Sequence, residues 1–536
     1  MLRRRTVLKP FLCALTAALI VTAVGCQSGS TPSSGGIPDA ATANELLSAA
    51  PCARDTRPVA TGAPSEDRIF SFIEDLVSFG NRRTGHVGGY KAAAYMKCQF
   101  EALGLQNVHY ITATTFSWEA TGSSLRVGGQ VVDSSPVPFS MIAGTVPARF
   151  STPSGGLNAE LVDIGLGTPA EVYAKGVKGK IAVFDLKFLV PLVALAPAME
   201  FLWDPDLSIV DPSIITANPF QTQYSSIIKT VVDAGAVGFV GVLADYFDSN
   251  RYYNESYHLQ LPIPGLWVAP KDGAKIRELM AAGKGSANIV MEGRSSGEAV
   301  GTAVVGVLPG KSNETILITS HHDSAWNGAV EDASGAASVL AQAQYFASKP
   351  ADSREKTLLF TTMDSHWTGY EVHGAFARKY IFDPNSPYKV VGDVSIEHIG
   401  KQAVKGADGK LQVLDRPEYR GIFENLGPTL KAAMIQGLIK HDLRRTALLD
   451  ATPLCPTVGI PTDAFSCFSG IPTASLISGP YYLYDEADTL DKVAKDQLVP
   501  VFNFFAELVE TMDTLPAALI GVGVASPAAN TVEVPR

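Results

Sequence analysis

The sequence predicts an α/β protein built around a doubly wound, mostly parallel β-sheet. Four short apolar runs have the length and composition of buried strands: residues 316–320, 357–363, 390–396 and 474–477. Helical segments lie between them, for example at 334–347 and 430–440. Strands that alternate with helices form largely parallel sheets with helices on both faces. Ligands of such sheets bind at the carboxyl ends of the strands, so the residues that follow each strand are the first candidates for a site.

The bulk composition indicates a globular protein of more than one domain. A chain of 536 residues is too long for one ordinary core, and two or three domains are expected. Its hydrophobic content of 46% with 18% charged residues excludes general disorder. The net charge of −10 is spread along the chain without a long basic run, which argues against nucleic acid as a partner.

The first 26 residues have the pattern of an export signal. Arg3, Arg4 and Arg5 precede an apolar stretch at 11–24 that is too short for a comfortable membrane span. The stretch ends in Ala-Val-Gly-Cys, which resembles a lipobox with Cys26 as the lipidated residue. The paired arginines also fit a twin-arginine signal, and the export route stays open. We expect a lipid-anchored protein on the extracytoplasmic face of a bacterial cell envelope.

The remaining length divides into five predicted segments. Residues 27–42 are rich in Ser, Gly, Pro and Thr and predict a flexible tether. Helical periodicity and a strand near 108–112 indicate a first α/β segment at 43–128, and alternating strands and helices indicate a second at 297–515. The segment at 129–296 differs in pattern, with short strands separated by turns, and predicts a β-rich insert. Residues 516–536 predict a disordered tail.

Four cysteines remain after the signal segment, which is compatible with two disulfides. Cys455 and Cys467 are close in sequence, so the first expectation is a disulfide between them that closes a short loop. Cys52 would then pair with Cys98. Three pairings exist, and the sequence does not choose among them.

The segment at 316–340 carries the strongest chemical signal. A strand leads directly into His321, His322 and Asp323, and a short loop then delivers Glu331 and Asp332 before an Ala/Ser-rich helix. Imidazole and carboxylate together are a ligand mix that suits zinc. A strand-end glutamate, Glu397, follows the run at 390–396, and an uncompensated carboxylate there would be costly.

These motifs resemble the co-catalytic zinc aminopeptidase and glutamate carboxypeptidase family. The resemblance rests on HHDS followed by EDASG, and on the run RRTGHVGGYKAAAYM near the start of the domain. It implies a zinc-peptidase fold, peptide substrates, and a protease-associated domain as the insert at 129–296. It also implies that His321, Asp332 and Glu397 bind metal, with Asp332 bridging, and that Asp323 orients the His321 imidazole.

The same resemblance shows where this chain departs from the family pattern. Two adjacent glutamates, the general base and a ligand of the second metal, align here with His366 and Trp367. The last histidine ligand aligns with Tyr484, while Asp488 of the following Asp-Thr pair is retained. We therefore predict one zinc ion, with two as the alternative. His366 is the stand-in base, and Tyr484 and Asp488 are candidates for the second metal or for substrate contact.

Two functions from different classes follow. The first is a lipid-anchored zinc metallopeptidase, an aminopeptidase-like exopeptidase with a degenerate second metal site. The alternative is a catalytically inactive scaffold of the same fold that binds peptides or a protein partner. A small-molecule amidohydrolase or cyclase on this fold is a third class that the sequence leaves open.

Overall fold

The computed structural model describes residues 36–48, 61–208, 218–253, 259–455, 460 and 465–523. The predicted signal segment with Cys26, and Cys52, lie outside these residues. None of the helices in the described part of the chain combines the length and the apolar character needed to cross a bilayer.

The described chain forms eighteen strands and eleven helices. The strands are β1 Gln106–Val127, β2 Gln130–Val132, β3 Ser135–Pro136, β4 Arg149–Ser151, β5 Leu157–Asp163, β6 Ile181–Asp185, β7 Met199–Trp203, β8 Gly238–Val242, β9 Gly265–Val268, β10 Ser286–Leu308, β11 Glu314–His321, β12 Thr357–Met363, β13 Lys389–Ile396, β14 Lys401–Lys405, β15 Leu411–Pro417, β16 Arg420–Glu424, β17 Thr446–Asp450 and β18 Thr473–Ser478. The helices are α1 Ala40–Ser48, α2 Glu66–Val77, α3 Val87–Ala102, α4 Pro169–Lys175, α5 Tyr224–Asp233, α6 Pro270–Ala281, α7 Ser334–Ala347, α8 Glu371–Tyr380, α9 Pro428–Lys440, α10 Ser466–Ser469 and α11 Lys495–Thr514.

The centre of the sheet has the strand order β10-β12-β11-β13-β18-β16-β17-β7. Strands β12, β11, β13 and β18 are mutually parallel, and β10 and β16 flank them in antiparallel pairing. All seven residues of β12 are buried, as expected for a strand that helices cover on both faces. The doubly wound, mostly parallel α/β fold predicted from the sequence is confirmed.

The predicted elements of this sheet agree closely with the structure. Strand β12 and helix α7 have the predicted bounds, and β11, β13 and β18 extend beyond theirs by at most two residues at either end. These strands are continuous apolar runs because both of their faces are buried, so composition alone identifies them.

The segment predicted as a β-rich insert contains a second set of parallel strands. Strands β5, β6, β8 and β9 pair in parallel, and helices α4, α5 and α6 lie between or beside them in the chain. The long strand β10 begins at Ser286 and continues past the predicted boundary at 296/297 without a break, paired with β1. The identification of this segment as a protease-associated domain stays a prediction.

Strand β7 joins the main sheet from an apolar stretch whose local sequence does not predict a strand. It pairs antiparallel with β17 and forms the edge of the sheet beyond that strand. Its sequence, Met-Glu-Phe-Leu-Trp, is short and lies between prolines, so local periodicity does not reveal the pairing.

The disulfide between Cys455 and Cys467, the first expectation from the sequence, is present. Cys98 is disulfide-bonded as well. At the two ends of the described chain, regular structure reaches into segments predicted as tether and tail: α1 begins at Ala40, and Gly521 pairs with Leu426.

Candidate metal centre

The candidate site lies at the carboxyl edge of strands β11, β12 and β13. His321 is the last residue of β11, His366 follows the end of β12, and Glu397 and His398 directly follow β13. Because neighbouring parallel strands end at one edge of a sheet, these side chains are brought together. His366 is the most exposed of the four, and only 4% of its surface is accessible.

Five buried side chains converge at this edge. One group comprises His321, Glu331 and His366, and a second comprises His321, Glu397 and His398. In each group the potential ligand atoms lie within 4.8 Å of one another. His321 belongs to both groups, so the two form one continuous cluster of imidazole nitrogens and carboxylate oxygens.

Glu331 lies between two histidines of the cluster. Its Oε1 atom is 3.4 Å from Nε2 of His321, and its Oε2 atom is 2.5 Å from Nε2 of His398. Neither carboxylate oxygen accepts a hydrogen bond of normal alignment within the described chain. Burial alone would raise the pKa of Glu331, but the neighbouring imidazoles, His398 first, lower it, so the carboxylate is charged.

Asp332, assigned from the sequence as the bridging carboxylate, has a different position. Its Oδ1 accepts hydrogen bonds from the backbone N–H groups of Gly335 at 3.0 Å and His398 at 3.1 Å. Its Oδ2 accepts from the Ser320 hydroxyl at 2.5 Å and lies 3.8 Å from Nε2 of His321.

Asp332 therefore ties β11, β13 and the start of α7 together. The motif offers two adjacent carboxylates, and the sequence does not tell which one faces the histidines. We transfer the metal-ligand prediction from Asp332 to Glu331.

Asp323 makes the contact that the sequence predicted. Its Oδ1 accepts from Nδ1 of His321 at 3.0 Å, which leaves Nε2 of that imidazole facing Glu331. Its Oδ2 accepts from the backbone N–H of His366 at 3.0 Å and from the Thr84 hydroxyl at 3.1 Å. One carboxylate thus fixes the ring of His321 and the backbone position of His366, which suits an orienting role.

His398 was not predicted as part of the site. Its Nδ1 donates to the carbonyl oxygen of Ser478 at 2.8 Å, which directs Nε2 toward Glu331. Burial would lower the pKa of His398, but the charge of Glu331 outweighs it and raises the pKa to about 9. The sequence offered one indication of this role, because His398 directly follows Glu397 at the end of a strand.

His366 and Trp367 lie side by side over the cluster. The His366 ring stacks on His321, with centroids 4.4 Å apart and an interplanar angle of 24°. The Tyr370 hydroxyl lies 3.4 Å from each ring nitrogen of His366. Trp367 is 3% exposed, and its Nε1–H has no acceptor among the described residues.

Tyr484 and Asp488 support the site from the segment after β18. The Tyr484 ring packs near Trp367, at a centroid distance of 6.4 Å. Asp488 accepts from the backbone N–H of Val330, at 3.0 Å, and of Glu331, at 2.8 Å. Asp488 is not in either group of potential ligands; instead it holds the backbone that carries Glu331.

Arg82 is a further residue that sequence reasoning missed. Its side chain is fully buried, and it donates to the carbonyl oxygens of His322 at 2.9 Å and Gly328 at 2.8 Å. Further hydrogen bonds reach Asn327 and Glu331. Burial lowers the pKa of Arg82 to about 10, so it stays charged at neutral pH and clamps the loop between β11 and α7.

The donor set fits a metal ion of the zinc type. Imidazole nitrogen and carboxylate oxygen are both zinc ligands, and the second ring nitrogens of His321 and His398 are already engaged by Asp323 and Ser478. Oε2 of Glu331 and Nε2 of His398 face one another at 2.5 Å, close enough for both to bind one ion.

Comparisons with known proteins agree with this geometry. Residues 303–365 match the family model described as Peptidase family M28. No protein of curated function matches the sequence.

Several solved structures share the fold. A Peptidase M28 precursor from Shewanella amazonensis SB2B is 19% identical with a TM-score of 0.61, over 90% of this chain and 98% of that one. BSAP, a zinc aminopeptidase from Bacillus subtilis, is 15% identical with a TM-score of 0.58, over 87% and 99%. The aminopeptidase from Aneurinibacillus sp. strain AM-1 is 17% identical with a TM-score of 0.53, over 86% and 97%. The predicted resemblance to zinc aminopeptidases is confirmed at the level of the fold.

Proposed function

From this fold and cluster, we propose that the protein is a zinc metallopeptidase that removes residues from the amino terminus of peptides. The observation that carries the proposal is the convergence of His321, Glu331 and Glu397 at the carboxyl edge of a sheet with the zinc-aminopeptidase fold. The match of residues 303–365 to peptidase family M28 spans the strand and loop that supply the first two of these residues.

The metal would be held by His321, Glu331 and Glu397, with His398 close enough to complete its coordination. When bound, zinc polarises a scissile carbonyl and lowers the pKa of its water. Trp367 and Tyr484 occupy the places where the family resemblance implies a glutamate and a histidine of the second metal. We therefore propose a single zinc ion and a degenerate second site.

His366 is positioned to accept a proton from the attacking water. A neutral imidazole serves as a general base near neutral pH, and Tyr370 lies within reach of its ring nitrogens. Asp323 fixes the backbone of His366 while it orients His321. These two contacts couple the position of the base to that of the first candidate ligand.

Trp367 can act as a donor to the substrate. Its buried Nε1–H has no acceptor in the described chain, and its ring lies 6.2 Å from that of His321 by centroid distance. A preorganised N–H group in a dry site stabilises developing negative charge on a carbonyl oxygen. We propose that the indole takes over part of the charge stabilisation that a second metal would otherwise provide.

The aromatic wall around the cluster favours an apolar first residue in the substrate. Trp326, Tyr253, Trp367 and Tyr484 form a chain of ring contacts, and Phe220 stacks near His398 at 6.1 Å. Such a surface gains free energy mainly by covering an apolar side chain.

The test is hydrolysis of a panel of aminoacyl p-nitroanilides and unblocked peptides by zinc-loaded protein. We expect cleavage of substrates with a free amino terminus and none of their N-acetylated counterparts. His321→Ala should abolish it, while His109→Ala, a control on β1 outside the cluster, should not. If the wild type cleaves no substrate with zinc, cobalt or manganese, the proposed peptidase activity is refuted.

The alternative is a scaffold that binds peptides without cleaving them. The replacement of two family ligands by Trp367 and Tyr484 favours it, because neither an indole nor a neutral phenol is among the usual zinc ligands. It predicts that a fluorescent apolar peptide binds equally well before and after treatment with a chelator. Loss of binding on chelation would favour the metallopeptidase.

We also propose that the protein is lipid-anchored at the extracytoplasmic face of a bacterial envelope. The support is the export pattern of the first 26 residues and the lipobox-like sequence ending in Cys26. Metabolic labelling with a radioactive fatty acid should mark the wild type and not Cys26→Ser. Equal labelling of the two proteins, or no labelling of either, would refute lipidation at Cys26.

A further inference from the structure

Two buried arginines lie side by side outside the metal cluster. Arg420 is the first residue of β16, and Arg445 directly precedes β17. The backbone N–H of Arg420 donates to the carbonyl oxygen of Arg445 at 2.9 Å, which fixes the two residues as neighbours. Each is only 4% exposed, an unusual position for two like charges.

Each guanidinium group uses only one of its three nitrogens within the described chain. Nη2 of Arg420 donates to the Arg444 carbonyl and to Oε1 of Gln497, both at 2.9 Å. Nη2 of Arg445 donates to Oε1 of Gln402 at 2.9 Å. The Nε and Nη1 atoms of both arginines are buried and have no acceptor among the described residues.

The surrounding carboxylates do not neutralise the pair. Asp496 influences the charge of Arg420 and Glu418 that of Arg445, but neither carboxylate forms an ion pair with a guanidinium of the pair among the described residues. Glu418 accepts from the backbone N–H of Tyr419 at 2.9 Å, and burial raises the pKa of Glu418 to about 7. Burial lowers the pKa of Arg420 to about 10, which still leaves it charged at neutral pH.

We propose that Arg420 and Arg445 form a binding site for a small oxyanion. A buried charge without a partner is strongly unfavourable, and an anion between the two groups would compensate both. Four buried nitrogen atoms, two from each guanidinium, lack an acceptor among the described residues and can donate charge-assisted hydrogen bonds to such a ligand.

The architecture around the arginines is preformed. The Tyr419 ring stacks on the guanidinium of Arg445, whose Cζ is 3.6 Å from the ring centroid. Gln402 accepts from both Arg416, at 2.7 Å, and Arg445, so its orientation is fixed by two charged donors. The arginines therefore need little rearrangement to receive a ligand, which favours binding.

Guanidinium groups select oxyanions over halides because their planar donors match oxygen pairs. Phosphate and a carboxylate share this chemistry, and both are candidates. The two differ in source: inorganic phosphate is free in solution, whereas a carboxylate comes from an organic acid or a peptide terminus. The site does not involve the metal cluster, so its occupation does not depend on zinc.

The experiment is calorimetric titration of the full folded chain after exhaustive dialysis into chloride buffer. Inorganic phosphate and acetate are titrated separately at constant ionic strength, with and without zinc. We expect binding of at least one of them with a dissociation constant of about 1 mM or lower, unchanged by zinc. Phosphate alone would identify a tetrahedral anion, and acetate would identify a carboxylate.

Variants assign the binding to the pair. Arg420→Gln and Arg445→Gln should each weaken it at least about tenfold, as expected for loss of a charge-assisted contact. Arg126→Gln, an exposed arginine on β1, is the matched control and should leave it unchanged. Absence of binding by the wild type, or equal binding by the arginine variants, would overturn the proposal. The wild-type titration decides even if a variant fails to fold.

Discussion

The carboxylate of Asp488 accepts a hydrogen bond from the backbone N–H of Glu331, 157 residues earlier in the chain, at 2.8 Å. A second bond, from Val330, reaches the same carboxylate. The residue that faces the histidines is therefore held in place by a segment near the end of the fold, and its position depends on the packing of distant parts of the chain.

Asp488→Ala should weaken zinc binding without removing any ligand. Two buried N–H groups would lose their acceptor, at about 1–3 kcal/mol each, and Glu331 would lose its support. We expect zinc affinity to fall roughly 10–100-fold, as for other residues that position ligands. Competition with a chromophoric chelator measures it. Asp491→Ala, an exposed neighbour, is the control, and equal affinities in all three proteins would contradict the role.

Glu331→Gln and Asp332→Asn should have different effects although the residues are adjacent. Glu331→Gln removes a candidate ligand, and we expect loss of zinc with the fold intact. Asp332→Asn disturbs bonds to Gly335, His398 and Ser320, and should lower the free energy of unfolding by about 1–3 kcal/mol. Zinc content by elemental analysis and denaturant titration separate the two. Zinc loss only in the Asp332 variant would show that Asp332, not Glu331, is the metal ligand.

Trp367→Phe should lower kcat and leave KM and zinc content near their wild-type values. The substitution keeps an aromatic ring and removes only the Nε1–H donor, whose loss matters most in the transition state. We expect a decrease on the order of 10–100-fold. Trp203→Phe, at the sheet edge where the indole bonds to Asp442, is the matched control. A change in KM alone would show that the indole acts in binding.

Glu424→Gln should stabilise the protein at high pH. Glu424 is fully buried on β16; burial, followed by the neighbouring Glu200, raises its pKa from 4.5 to about 8, although Lys431 on α9 opposes the shift. Folding therefore takes up a proton between about pH 4.5 and 8, and the free energy of unfolding falls as pH rises through this window.

The variant should thus match the wild type near pH 5 and exceed it by on the order of 2 kcal/mol at pH 9. Urea unfolding at several pH values measures the difference, with the exposed Glu278→Gln as control. Parallel pH profiles for wild type and Glu424→Gln would show that Glu424 is charged in the folded state at neutral pH.

The buried parallel strands were predictable because each is a continuous apolar run. The positions of β11, β12, β13 and β18 could be identified without knowing which strands they pair with. The polar residues at their ends predicted where the site lies. His321, Asp323, His366 and Glu397 all lie at that edge as a consequence.

The features that the sequence did not reveal depend on contacts between residues distant in sequence. The choice between Glu331 and Asp332 is decided by Asp488 and by the bonds that engage Asp332, neither of which local spacing reveals. Strand β7 becomes a strand only by pairing with β17. The hydrogen bonds of Arg82 join residues 240 or more positions apart, a relation that no short motif encodes.

The most direct test of the account is the zinc content of purified, zinc-reconstituted protein lacking its first 26 residues, measured beside the Glu331→Gln variant. The account predicts about one zinc ion per wild-type chain. It predicts essentially none in the variant. Wild-type protein that retains no zinc, or a variant that retains as much as the wild type, would contradict the assignment of this cluster as the metal centre.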